Sequence, residues 1–261
     1  MRHNYFFHID PFIICLLLFA GCILMVIAGK AIRNKFLPKD EQDSRGGVNS
    51  LLGALFGLWG FILAFTFGNA ASRFENIRAM MVDEANVMRT AILRSETFPD
   101  SIRNEYKLDL RKYLEARIAY YNCEENSDEF NKTKQDAIDI GKRLWTRTVK
   151  VSSFPNLAPA SNTMMVTLTG MFDIAAKRDA LLLSGIPILI SSMLFFLALA
   201  ISFVGGFTTP VLKIKEWIVI AGFISLACII IYITIDLSRP TTGFIKPDVG
   251  EDRIIQLRKL F

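Results

Sequence analysis

The sequence predicts an all-α membrane protein: four transmembrane helices, with a helical cytoplasmic domain inserted between the second and third and membrane helices extending into it. Three observations carry this. Apolar residue types make up 52 % of the 261 residues and mean hydropathy is +0.35, above the balance of an ordinary soluble domain. Four apolar runs, at about 11–29, 51–71, 181–203 and 217–236, each reach the roughly 20 helical residues that cross a hydrocarbon core of about 30 Å. The polar block between the second and third runs keeps the three- and four-residue spacing of amphipathic helices. The expected division is 1–72 for the first two membrane helices, 73–180 for the helical domain, 181–237 for the last two membrane helices and 238–261 for a cytoplasmic tail.

The first run follows Arg2 and contains Phe19-Ala-Gly-Cys22, which resembles a lipoprotein cleavage box. Phe19 is larger than the aliphatic residue usual there, and apolar residues continue from Ile23 to Ala28, so a retained span fits better than a cleaved signal. The second run meets no Gly or Pro from Asn69 to Thr97, while Phe74, Ile77, Met81, Ala85, Met88 and Ile92 recur at helical spacing. One helix is therefore expected to leave the membrane and continue as an amphipathic helix.

Pro99-Asp100 stops that helix and starts the next, whose face is marked by Tyr106, Leu110, Tyr113, Leu114, Ile118 and Tyr121. An acidic turn at 122–129 precedes a third helix at about 130–150, and 152–159, with two prolines, reads as a loop. A fourth helix from about residue 161 carries Met165, Leu168, Phe172 and Ala175 on one face, passes Lys177-Arg178-Asp179 and enters the third span. Pro187 removes a backbone donor there and predicts a kink. After the fourth span, Asp236 is placed to pair with Arg239, Pro240 stops the helix and Gly243 permits a turn.

Chemistry is sparse. His3 and His8 are the two histidines, and no H-E-x-x-H, G-x-S-x-G or Walker motif occurs, so no catalytic residue and no cofactor is expected. Cys15, Cys22, Cys123 and Cys228 form neither a disulfide framework nor a zinc pattern. Glu124 to Glu129 gathers oxygens but lacks the rhythm of a calcium loop, and a solvated turn is the ordinary reading. No metal is expected. The net charge of +5 is interleaved with acidic residues and leaves no nucleic-acid footprint. Lys and Arg near the spans favour a cytoplasmic polar block and termini, although Lys30, Arg33, Lys35, Lys39 and Arg45 oppose this locally.

The second span has two kinds of surface. Gly53, Gly57, Gly60, Ala64 and Gly68 make a stripe that lets helices approach closely. Beside it lie Phe61 and Phe65, one turn apart, which around a symmetry axis would form apolar collars that gate by dewetting. The same periodicity fits phenylalanines that face lipid or a core.

Three segments, LLGALFGLWGFILAFTFGNAASRF (51–74) running on to RAMMVDEANVMRTAILRSETFPD (78–100), TLTGMFDIAAKRDALL (167–182) and DLSRPTTGFI (236–245), give the chain its family likeness: it resembles the bestrophin-like family of bacterial membrane proteins. The resemblance implies an oligomeric ion channel or channel-like protein of the inner membrane, multi-pass, pentameric by likeness to bestrophins proper, with small ions passing through it. It implies a pore neck at Phe61, Phe65 and Gly57 and an inner mouth near Asn69, Arg73, Glu75 and Arg78. The sequence departs from bestrophins at Thr66, where they have Arg, and at Gly68, where they have Asn. The competing reading is a non-conducting scaffold or sensor whose helical domain binds a protein partner.

Overall fold

The computed structural model describes residues 10–36, 45–123, 127–183, 188–209, 213–240 and 243–261. The elements are α1 (Pro11–Phe36), α2 (Arg45–Ser95), α3 (Asp100–Asn122), α4 (Asp128–Ser152), α5 (Ala158–Leu183), α6 (Ile188–Thr208), α7 (Ile214–Leu237), α8 (Asp248–Gln256) and a 3₁₀ turn (Leu257–Leu260). Two compact units result: Met1–Ser72 with Ile186–Ser238, and Arg73–Gly185 with Arg239–Phe261.

Among the described residues four helices are long and apolar enough to cross a membrane, the third over Leu189–Thr208. Leu182, at the start of the expected third run, is buried in the core of the second unit. Pro187 lies outside the described residues, and so does the expected kink. Leu18, Cys22 and Val26 of α1 pack with Trp59 and Leu63 of α2, Leu197 and Ile201 of α6 and Ile231 of α7.

Helices α1 and α6 come together through glycine. A Cβ on Gly29 would stand 2.2 Å from the Phe203 carbonyl oxygen, and one on Gly206 would stand 2.1 Å from that of Val26. Arg33 Nη1 donates to the Thr208 carbonyl oxygen at 3.0 Å, satisfying an acceptor at the end of α6. Trp59 Nε1 donates to the Leu194 carbonyl oxygen at 3.2 Å. All four cysteines are free and buried.

The second unit is built on the amphipathic stripe of α2: Phe74, Ile77, Met81, Ala85, Met88 and Ile92 are all buried. Helix α3 adds Tyr106, Leu110, Tyr113, Leu114 and Ile118, with Tyr120 fully buried beside a half-buried Tyr121. Of the acidic turn, Glu124, Glu125 and Asn126 lie outside the described residues; Ser127 Oγ accepts the Phe130 N–H at 3.0 Å and caps α4. In α5 the buried position is Met164 rather than Met165, since Met164, Leu168, Met171 and Ala175 keep one face at spacings of four, three and four. Pro159 sits in the first turn of α5 rather than in the loop, where its missing N–H costs no helical bond.

The C-terminal segment is packed rather than trailing. Ile254 and Leu257 enter the core, a Cβ on Gly250 would meet Met81 Cβ at 2.7 Å, and Arg258 forms a forked pair with Glu115 at 2.9 and 2.6 Å. Of the 236–245 motif, Asp236, Ser238 and Arg239 are buried and the Gly243 N–H donates to the Arg239 carbonyl oxygen at 2.6 Å, while Thr241 and Thr242 lie outside the described residues.

Candidate functional site

The span carried by α2 is the least covered of the four. In its apolar window 17 % of residues are buried, against 28 % or 33 % in the other three. Its packed side consists of Trp59, Leu63, Thr66 and Ala70, which fall within about 60° of one another at 100° per residue. Thr66 is tolerated there because its hydroxyl donates to the Ile62 carbonyl oxygen at 2.6 Å.

Phe61 lies about 170° from the centre of that packed side, and Phe65 about 130°. They are 69 % and 55 % exposed, values that leave both rings without cover from their own chain. The small residues Gly53, Gly57, Gly60, Ala64 and Gly68 are exposed as well, and a Cβ built on any of these four glycines meets nothing within 4 Å. Close helix approach inside the chain is therefore made by Gly29 and Gly206, on α1 and α6, and not by the α2 stripe. The two faces read from the sequence are one continuous open face of α2.

Past the apolar span the expected mouth residues separate. Asn69 is exposed. Glu75 is exposed and accepts from Arg78 Nη1 at 3.3 Å, one turn on. Arg73 turns toward its own chain: Nε donates to the Leu181 carbonyl oxygen at 3.1 Å, and Nη2 donates to those of Leu181 and Leu182 at 2.8 and 2.9 Å. Its charge is held against carbonyls of α5.

In the second unit the structure assembles a group of charged residues that sequence reasoning did not single out. Glu84 of α2 is fully buried and accepts from Arg117 Nε of α3, Arg178 Nη1 of α5 and the Tyr121 hydroxyl at 2.6, 2.6 and 2.9 Å. Asp179 accepts from Arg117 Nη2 at 3.2 Å, and the Arg178 guanidinium lies 3.8 Å from the Tyr121 ring centroid. Burial alone would push the Glu84 carboxyl up, but the adjacent Arg178 and Arg117 guanidiniums outweigh it and hold it below the ordinary glutamate value. The signal was in the spacing: Glu84 sits in the stripe of Ile77, Met81 and Met88, and Arg117 sits in that of Leu110, Tyr113 and Leu114. A charge in register with an apolar stripe is a charge that will be buried and paired.

Among the described residues no group of three or more His, Cys, Asp or Glu side chains is arranged to hold a metal ion. No curated protein and no solved structure matches the chain. Residues 20–246 match the family described as the Bestrophin-like domain. That match covers most of the 261 residues, and the chain belongs to the Bestrophin-like domain family.

Proposed function

We propose that the protein is an oligomeric, bestrophin-like ion channel or channel-like protein of the inner membrane, with the open face of α2 lining a path around the symmetry axis. The observation that carries this reading is the face itself. An apolar helix whose own chain covers one side and leaves glycines and two phenylalanines bare on the other is suited to meeting further copies of itself. Small residues let neighbouring backbones close in, and Phe61 and Phe65 then form two apolar collars, one turn apart, as a dewetting gate.

Gly57 widens the path one turn before Phe61. Asn69 and Glu75, with Arg78 paired to it, form the polar mouth, and Arg73 supports that mouth through its bonds to the end of α5 rather than by lining it. Termini and second unit lie on the cytoplasmic side by the distribution of Lys and Arg around the spans. The test is conduction by purified protein in planar bilayers. Wild type carries current, and Phe61→Ala with Phe65→Ala raises open time or conductance. A folded sample that passes no current across a range of voltages and ligands, and runs as a monomer or dimer, supports the scaffold or sensor reading instead.

A further inference from the structure

The second unit contains an open cavity of about 860 Å³ between α3, α4 and α5. Roughly 300 to 1,000 Å³ is the size of cavities that take small organic molecules, with mostly apolar walls and a few convergent polar groups. This cavity has that division. Ile138 and Trp145 of α4 and Phe172 of α5 supply apolar wall, and Ile138 and Trp145 remain substantially exposed. Gly141 keeps the wall open toward Phe172, since a Cβ there would stand 3.0 Å from the Phe172 ring.

The polar end is where Arg117, Lys134 and Asp179 border the same cavity. Arg117 gives Nε to Glu84 and Nη2 to Glu84 and Asp179, so its Nη1 is not used by the buried group, and Lys134 Nζ stands 3.9 Å from Asp179 Oδ2. Charge at this end does not balance: Arg117, Arg178 and Lys134 face Glu84 and Asp179, leaving one positive charge over. Tyr113, which also borders the cavity, stays neutral because burial pushes its phenol up to about 12. Lys142 and Asp173 also border the cavity. Lys142 pairs with Asp139 at 3.3 Å with both side chains largely in water, and Asp173 is exposed.

We infer that this cavity is a binding site for a small amphipathic monocarboxylate, its carboxylate at Arg117 and Lys134 and its apolar body against Ile138, Trp145 and Phe172. A carboxylate matches the single surplus charge, whereas a phosphate monoester brings about −1.5 to −2. The site stands on the second unit alone and is independent of whether the protein conducts.

Isothermal titration of the full chain in lipid nanodiscs, with empty nanodiscs as the blank, tests this using 4-phenylbutyrate, neutral 4-phenylbutanol and phenyl phosphate as probes. Saturable binding of 4-phenylbutyrate is expected, with the alcohol about tenfold weaker through loss of charge-assisted hydrogen bonds. Ala176→Phe, at an exposed cavity-lining position, should abolish binding, and Lys134→Gln should weaken it several-fold, both with wild-type circular dichroism. The inference is overturned by absence of saturable binding to wild type, by equal binding of the alcohol, or by tighter binding of phenyl phosphate. It is also overturned if binding survives in folded Ala176→Phe, or if wild type fails to bind and Ala176→Phe changes the oligomer mass, which would make the cavity a subunit contact.

Discussion

At the scale of single residues, Glu84 is the side chain on which most depends. Among the described residues it is the fully buried carboxylate that meets both Arg117 and Arg178. Glu84→Gln removes the charge and keeps the shape, leaving two buried guanidiniums with Asp179 alone. The expected cost is about 3 to 5 kcal/mol, read from denaturant unfolding in detergent. Its pH dependence follows from the lowered Glu84 value. The unfolded carboxyl titrates near the ordinary value of about 4.3, so the stabilisation is complete above that pH and is lost as pH falls through the lower folded value. Wild type should therefore lose more stability than Glu84→Gln between about pH 5 and 3, and the two curves should converge in acid. Gly206 makes a second residue-scale case: Gly206→Val places side-chain atoms where the Val26 carbonyl already stands. Loss of folded protein, seen as aggregation on size-exclusion chromatography, is expected, whereas Gly222→Val, where a Cβ meets nothing, should remain monodisperse. Glu84 was marked by its register in an apolar stripe, whereas Gly206 did not stand out in the sequence. Gly206 lies in an ordinary apolar run, and only the contact with α1 distinguishes it from Gly222.

At the scale of elements, the periodicity of α2 was legible and its partner was not. Apolar spacing located the buried stripe from Phe74 to Ile92, because in a helix that borders water a packed face differs in polarity from a bare one. Inside the membrane that contrast vanishes, since lipid and protein core are equally apolar. Glycines and phenylalanines could be sorted into stripes by angle, yet only packing reveals that Trp59 and Leu63 are the covered side and Phe61 the open one. Single cysteines read this face directly. Phe61→Cys and Phe65→Cys should react in nanodiscs with a membrane-impermeant cationic thiol reagent, measured by mass spectrometry. Leu17→Cys, on the exposed face of α1 that is expected to meet lipid, should not. The native cysteines are buried and give a low background. Protection of Phe61→Cys and Phe65→Cys to the level of Leu17→Cys would place that face against lipid.

At the scale of the whole molecule, four membrane-competent helices and an all-helical architecture among the described residues follow from hydropathy and spacing, which report local properties of the chain. The packed C-terminal segment was less legible: Ile254 and Leu257 are two of several apolar residues in a charged stretch, and the close approach of Gly250 to Met81 has no signal in the sequence. On the proposed reading the subunit number is set by the open face of α2. Native mass spectrometry should show a single oligomer larger than a dimer, and Gly57→Leu with Gly60→Leu should shift it to monomer while circular dichroism stays helical, because both positions are open within the chain.

The most direct measurement is the structure of that oligomer in nanodiscs by electron cryomicroscopy. Phe61 and Phe65 of every subunit should converge on a central axis, with Gly57, Gly60 and Ala64 against the neighbouring subunit. Phe61 and Phe65 directed into lipid, around an axis formed by any other helix, would contradict it.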